Sequence, residues 1–198
     1  MLKTFAAAAA LSIAAGAASA ATVVFEQDFN GGPSGLNQTP AGFTVSNGTV
    51  DVIPCCGGQF DFYPDNGLYV DMDGSSGNAG RIDTASSFSY TAGQRYTLSF
   101  DFGVNNGGTE LLTFGFADFD SSLTIIGPDA DIFFTPFSVT FTALTTGFST
   151  LFFEAAGSDN QGPVIDNVVL SAVPLPAAGL LLLGALGGLG FMRRRKAA

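Results

Sequence analysis

The sequence predicts an all-β fold: a two-sheet antiparallel β-sandwich of jelly-roll type, flanked by an N-terminal signal helix and a C-terminal transmembrane helix. Three observations carry this. Apolar residues recur at period two, as in Tyr96, Leu98, Phe100, Phe102 and Val104, which alternate with Thr97, Ser99, Asp101 and Gly103. Such a period puts one set of side chains on one sheet face, and Phe, Val, Thr and Tyr suit a pleated surface. Gly- and Asn-rich turn signals punctuate these runs, while no window between Ala21 and Ala172 holds a helical apolar stripe.

In chain order, strands are expected near residues 22–29, 42–45, 49–53, 68–72, 80–83, 95–104, 110–118, 122–126, 132–142, 147–155 and 163–171. Turn chemistry separates them at Asn30-Gly31-Gly32-Pro33, Asn47-Gly48, Pro64-Asp65-Asn66-Gly67 and Asp73-Gly74-Ser75-Ser76-Gly77-Asn78. Asn105-Asn106-Gly107-Gly108 joins two alternating runs and reads as a hairpin. Many short strands with Gly-rich turns argue for a sandwich, with a closed barrel as the alternative. No internal repeat supports a solenoid or propeller.

Composition bounds the function. The chain has 198 residues, enough for one domain of ordinary size. All seventeen acids lie between Ala21 and Ala172, against only Arg81 and Arg95, so this segment carries −15. A nucleic-acid groove needs Lys and Arg to replace phosphate counterions, so no nucleic-acid partner is expected. There is no histidine, which removes Ser-His-Asp and Cys-His catalysis and every His-ligated metal site. The 20 Phe, with Val, Ile and Leu, supply a large core.

Both ends read as transit signals. Residues 1–20 combine Lys3, an apolar stretch from Phe5 to Ala18 and Ala18-Ser19-Ala20, the charged region, apolar region and A-x-A site of a signal peptide. The middle segment, 21–172, is then exported. At the other end, Ala177 to Met192 is an uncharged run of 16 residues, preceded by Pro174 and Pro176 and followed by Arg193, Arg194, Arg195 and Lys196. As a helix it would span roughly 24 Å, a little short of a bilayer core of about 30 Å. The basic cluster keeps that end cytoplasmic by the positive-inside rule. A dimerising helix through Gly184-Ala185-Leu186-Gly187-Gly188 is the lesser reading.

Val173-Pro174-Leu175-Pro176-Ala177, the Leu/Gly-rich span and the terminal Arg cluster resemble the PEP-CTERM sorting tail in its VPLPA variant, over residues 173–198. The resemblance implies a Gram-negative bacterium, secretion machinery, transient anchoring in the inner membrane, and cleavage near Val173–Ala177 by an exosortase. Delivery would be to the cell surface or extracellular matrix, in association with exopolysaccharide or biofilm. Leu175 replaces the glutamate of the commonest form, which leaves open which exosortase reads it.

The middle segment resembles galactose-binding-like jelly rolls, a layout shared by secreted carbohydrate-binding modules. The resemblance rests on a first strand with Glu26, the central Leu68-Tyr69-Val70-Asp71-Met72-Asp73-Gly74, the strand Ala92-Gly93-Gln94-Arg95-Tyr96-Thr97-Leu98-Ser99-Phe100 and the closing Ile165-Asp166-Asn167-Val168-Val169-Leu170. It implies a structural Ca²⁺ where the first and last strands meet, with Glu26 and Asp166 as carboxylate ligands and Asp71 or Asp73 as a third. Calcium needs six to eight oxygens, and the alternative is that these acids are solvated turn and edge residues. Asp71-Met72-Asp73-Gly74 is no EF-hand, because the twelfth position from Asp71 is Ile82 where a glutamate is required.

Cys55 and Cys56 are adjacent, between Pro54 and Gly57-Gly58. Outside the cytoplasm they form a vicinal disulfide, a bridge to another chain, or two free thiols. Phe60, Phe62 and Tyr63 lie on an Asp- and Asn-rich loop and could stack on a sugar, the alternative for Phe60 and Phe62 being core plugs. A solvent-exposed aromatic platform at Tyr63 or Tyr69 would mark a carbohydrate-binding module. No motif singles out a glycosidase carboxylate pair. The expectation is a non-catalytic surface or matrix protein, with a carbohydrate-binding module proper as the alternative.

Overall fold

A computed structural model describes residues 20–54, 60–104, 108–127 and 133–174. Its strands are β1 (Thr22–Gln27), β2 (Phe43–Ser46), β3 (Asp51–Ile53), β4 (Tyr69–Asp71), β5 (Arg81–Thr84), β6 (Phe88–Tyr90), β7 (Arg95–Val104), β8 (Gly108–Phe116), β9 (Phe119–Gly127), β10 (Thr135–Thr142), β11 (Gly147–Ser149), β12 (Phe152–Ala156) and β13 (Pro163–Val173). The first sheet has the order β10-β7-β13-β4-β3, with β1 also paired to β13. The second has the order β2-β5-β12-β8-β9, and β6 and β11 form a two-stranded ribbon. All strand pairs are antiparallel. The expected antiparallel sandwich is therefore the observed architecture.

Period-two alternation makes the core. Val52, Val70, Leu98, Phe100, Ile165, Val168 and Leu170 from the first sheet are buried with Ile82, Leu112, Phe114, Phe116 and Phe153 from the second. The Phe100 ring meets Phe114 and Phe153 edge-on, each at 5.1 Å between centroids, the geometry that the aromatic quadrupole favours. A second apolar cluster forms from Ile53, Tyr69 and Val164, alternate residues of β3, β4 and β13, with Tyr63 from the segment before β4. By strand parity it lies on the outward face of the first sheet, where the segment after residue 59 covers it.

β13 organises the first sheet. It pairs with β7 along its length, with β4 at Val164 and Ile165, and with β1 from Val168 to Ala172. Between Asp166 and Val169 it holds one residue more than β7, and Asn167 takes a positive φ of 50° there. This is a β-bulge, with Asn supplying the left-handed conformation. It falls where β13 exchanges β4 for β1 as its neighbour.

The structure departs from the expected local pairings in three places. β7 and β8 belong to different sheets and do not pair as the expected hairpin requires, its turn residues 105–107 lying outside the described residues; the tight hairpin is β8–β9, where Phe116 pairs with Phe119. The expected strand 147–155 is two strands, since β11 pairs with β6 and β12 with β5 and β8. β6 itself was not expected. Among the described residues no helix is long and apolar enough to cross a membrane, and the expected spanning run lies outside them. Also outside are residues 1–19, Cys55, Cys56, Leu175, Pro176, Ala177, Arg193, Arg194 and Arg195. Val173 ends β13 opposite Arg95, and its carbonyl accepts a hydrogen bond from Gln94 Nε2 at 2.7 Å.

Candidate functional site

Two outward faces carry polar side chains held in defined positions. On the second sheet, strand parity turns Arg81 and Asp83 of β5 and Phe152 and Glu154 of β12 away from the core. Arg81 Nε donates to Asp83 Oδ2 at 2.8 Å and Nη2 to Asp83 Oδ1 at 2.9 Å, a bidentate pair. Its Nη1 donates to Glu154 Oε2 at 3.2 Å, and the guanidinium carbon sits 3.9 Å from the centroid of the Phe152 ring. Asn47 Nδ2 donates to the other Glu154 oxygen and Thr150 Oγ1 to Asp83. The Arg81 hydrogen bonds hold the Asp83 carboxyl below its ordinary range. Gly115 is opposite Phe152, and a Cβ there would come 2.7 Å from the ring, so this glycine gives the ring its place across β8.

On the first sheet, Asp51 of β3 pairs in register with Asp71 of β4. Asp51 accepts from the Asn37 amide at 2.6 Å, from the Ser75 amide and from Ser75 Oγ at 2.6 Å. Asp71 Oδ1 accepts from the Asp73 amide at 3.1 Å. Asp73, 1% exposed, accepts from the Asp159 amide through Oδ2, while its Oδ1 is buried without a partner. Burial first, and then the charges of Asp159 and Asp51, push the Asp73 pKa up. Glu110 at the start of β8 is shifted upward by burial and by Asp159 and Asp73. A cavity of about 120 Å³ opens beside these residues, lined by Asp51, Ile53, Phe60, Asp71, Ser75 and Asn160.

Asp166 lies farther along the outward face, opposite Asp101 of β7. It is 1% exposed, and burial, with the charges of Asp101 and Asp28, pushes its pKa up to about 7 against the pull of the Asn167 amide. Asn167 Nδ2 donates to Asp101 Oδ2 at 2.9 Å.

These positions correct two expectations. The first is the calcium set of Glu26, Asp166, Asp71 and Asp73. Glu26 is exposed and faces Val169; Asp166 faces Asp101; Asp71 and Asp73 group with Asp51 and Asp159. Among the described residues no three acidic side chains are grouped so as to hold a metal ion. Both Asp51 oxygens and Asp73 Oδ2 are committed instead to backbone amides of turns. The donor set does not fit calcium as implied.

The second is the aromatic platform at Tyr63 and Tyr69. Both are 0% exposed, sealed between the outward sheet face and the covering segment. The Tyr69 hydroxyl accepts from the Phe62 amide at 2.8 Å, and burial raises its pKa. Neither ring offers a face to solvent. From this loop it is Phe60 that reaches the surface, 45% exposed and at a positive φ of 72°. Asp51 and the Arg81–Phe152 group were not anticipated; their only sequence signal is a charge in a strand on the alternate parity to buried residues such as Val52 and Ile82.

No protein-family model matches the sequence, and no curated protein is similar enough to match. Solved structures match in fold. The CBM22-1–GH10 modules of Clostridium thermocellum xylanase 10B, complexed with xylohexaose, are 14% identical with a TM-score of 0.50 over 78% of this chain and 29% of that one. This chain thus spans less than a third of that one. The CBM22-1 xylan-binding domain of Paenibacillus barcinonensis Xyn10C is 14% identical, TM-score 0.46, covering 81% of this chain and all of that one. The K3 cleaved adhesin domain of Lys-gingipain from Porphyromonas gingivalis is 17% identical, TM-score 0.49, covering 77% and 99%. The chain has a β-sandwich similar to that of carbohydrate-binding modules.

Proposed function

We propose that this chain is a non-catalytic glycan-binding protein of the bacterial surface or matrix, exported by its N-terminal signal and sorted through its C-terminal tail by an exosortase. The observation that carries the binding role is the outward face of β5 and β12. There the planar Arg81 guanidinium lies on the Phe152 ring and is held by Asp83 and Glu154, a flat face with fixed donors and acceptors beside it, which is what a sugar ring and its hydroxyls need. The side chains are tied to one another across neighbouring strands, so little ordering remains for a ligand to induce. The implied partners are exopolysaccharide, the secretion machinery and, transiently, the inner membrane.

Two measurements test this. Glycan-array binding by the protein, repeated with Phe152→Ala and Arg81→Ala, should show a polysaccharide signal that both substitutions abolish; silence across matrix polysaccharides defeats the reading. Mass spectrometry of the protein recovered from surface and medium should find a start near Ala21 and an end near Val173–Ala177. An intact polypeptide in the cytosol defeats the sorting role.

A further inference from the structure

The β6–β11 ribbon closes one end of the sandwich. It carries strand pairing from β5 and β12 of the second sheet to β7 and β10 of the first, through the Thr84 amide on the Leu151 carbonyl and the Ala143 amide on the Gln94 carbonyl. Phe88 and Tyr90 turn inward and pack on the core, Tyr90 against Phe116 at 5.9 Å. Phe148 pairs with Ser89 on the other parity and is 77% exposed. The turn before the ribbon shows Leu144, 78% exposed. Asp118 Oδ2 fixes that turn from beneath: it accepts from the Leu144 amide at 2.7 Å, the Thr145 amide at 2.8 Å and Thr145 Oγ1 at 3.1 Å. Single exposed apolar residues are ordinary on a protein surface. Here the two most exposed large apolar side chains among the described residues stand at one end, both on backbone that is held in place.

Two features of this end point to its partner. The chain enters and leaves there: β1 starts at Thr22 opposite Ala172, and β13 ends at Val173, whose carbonyl is tied to Gln94. Four residues after Val173 the uncharged stretch 177–192 begins, and an extended chain covers at most about 3.6 Å per residue. On the tail-anchoring reading, Val173 therefore stands within about 15 Å of the bilayer. Charge is the second feature. Asp51, Asp73, Glu110 and Asp159 act on one another at the opposite end. Glu110 stands six residues along β8 from Phe116, about 20 Å at strand spacing and twice a screening length of about 10 Å. At the ribbon end Arg95 begins β7, and Asp118 is engaged by the Leu144 turn. This acidic cluster is thus turned away from a surface that, as anionic phospholipid, would repel it.

We propose that the ribbon end is a bilayer-contact surface, on which Phe148 and Leu144 enter the headgroup boundary of a phospholipid membrane while the tail anchors the chain. This rests on the anchoring reading. Two side chains are too few to hold a domain on a membrane alone, since even a full acyl chain gives only marginal attachment. Tethering makes the contact intramolecular and raises its effective concentration. Cleavage of the tail then lets the domain go, so the contact belongs to the anchored stage.

The protein has no tryptophan, so Phe148→Trp places a single fluorescent reporter. The tail-bearing chain, residues 21–198, made without an exosortase, is reconstituted in vesicles of phosphatidylethanolamine and phosphatidylglycerol that carry lipid spin-labelled beside the headgroup or at the chain end. Emission should shift to shorter wavelength and lose about half its intensity to the headgroup-side label, with far less loss to the chain-end label, as a depth of about 5 to 10 Å requires. Leu144→Trp should behave in the same way. Ile126→Trp, at an equally exposed position at the far end of β9, should keep the emission of an indole in water. Flotation with the vesicles reports the anchor separately. Flotation without quenching of Phe148→Trp and Leu144→Trp overturns the proposal while anchoring stands. Equal quenching of Ile126→Trp also overturns it, because the domain then has no preferred end. Failure to float overturns both readings. A shift to shorter wavelength that is already present without lipid overturns it in favour of a protein partner.

Discussion

The Tyr63 hydroxyl donates to the Val104 carbonyl and accepts from the Val104 amide, both at 2.8 Å. The reason lies in the ladder. Val104 ends β7 opposite Pro163 of β13, and proline has no N–H to give, while the Pro163 carbonyl is already taken by the Met72 amide. One phenol therefore satisfies the two backbone groups that the ladder leaves over, and in doing so fastens the covering segment to the sheet. A Cβ on Gly103 would run into this hydroxyl. Tyr63→Phe keeps the ring stacked on Phe134 but strands a buried donor and a buried acceptor. The expected loss is about 2 to 4 kcal/mol in urea unfolding, and an unchanged midpoint would show that Tyr63 does not complete the ladder.

Asp166 makes stability fall as pH rises. Its folded pKa of about 7 lies above the ordinary carboxylate value, so the native state keeps a proton that the unfolded chain releases. The contribution is complete below about pH 4 and is lost progressively up to pH 7, with a slope of at most about 1.4 kcal/mol per pH unit for one proton. Asp73 and Glu110, both shifted upward, act in the same direction. Asp83 acts oppositely: its pKa is lowered by Arg81, so its contribution is lost only as pH falls below the carboxylate range. Thermal melts should show the melting temperature dropping between pH 4 and 7. Asp166→Asn should match the parent at pH 4 and exceed it at pH 8; parallel curves would contradict the assignment.

Most of the strands could be read from alternation, because the same residues that suit a pleat also bury one face. Alternation does not say which edge a strand will pair with. β7 and β8 have the same apolar parity, and their Phe100 and Phe114 meet across the sandwich at 5.1 Å, not side by side in one sheet. An Asn-Gly signal such as that at 105–108 does not say whether the strands on either side share a sheet. β6 is three residues among Ser and Thr, too short for a period to show. Tyr63 read as a surface aromatic because Asp, Asn and Gly surround it. Those neighbours make the turn, and the turn delivers the ring onto a sheet face that the sequence does not reveal to be covered. The pairing of Asp51 with Asp71 depends on register between segments twenty residues apart.

The aromatic contacts at the centre predict a steep local dependence on ring volume. Phe100 touches Phe102, Phe114, Phe137 and Phe153, joining β7 and β10 of the first sheet to β8 and β12 of the second. Phe100→Ala should cost about 3 to 5 kcal/mol, transfer and cavity terms together. Phe100→Leu should cost clearly less, since it leaves a smaller void. Denaturant midpoints for the two variants check the ordering, and equal losses would mean that the neighbouring rings collapse into the space.

Gly115 separates the fold from the outward surface that it supports. A Cβ there meets the Phe119 carbonyl at 2.5 Å and the Phe152 ring at 2.7 Å. The carbonyl is backbone of the β8–β9 hairpin and yields little, whereas the ring can swing off β8. Gly115→Ala should therefore destabilise by about 1 to 3 kcal/mol and also dislodge Phe152 from beneath Arg81. The stacked guanidinium then loses its support while its bonds to Asp83 and Glu154 remain available. Polysaccharide binding should fall in this variant even where melting shows it fully folded. Retained binding at full affinity would mean that the Phe152 ring, as positioned by Gly115, is not part of the contact surface.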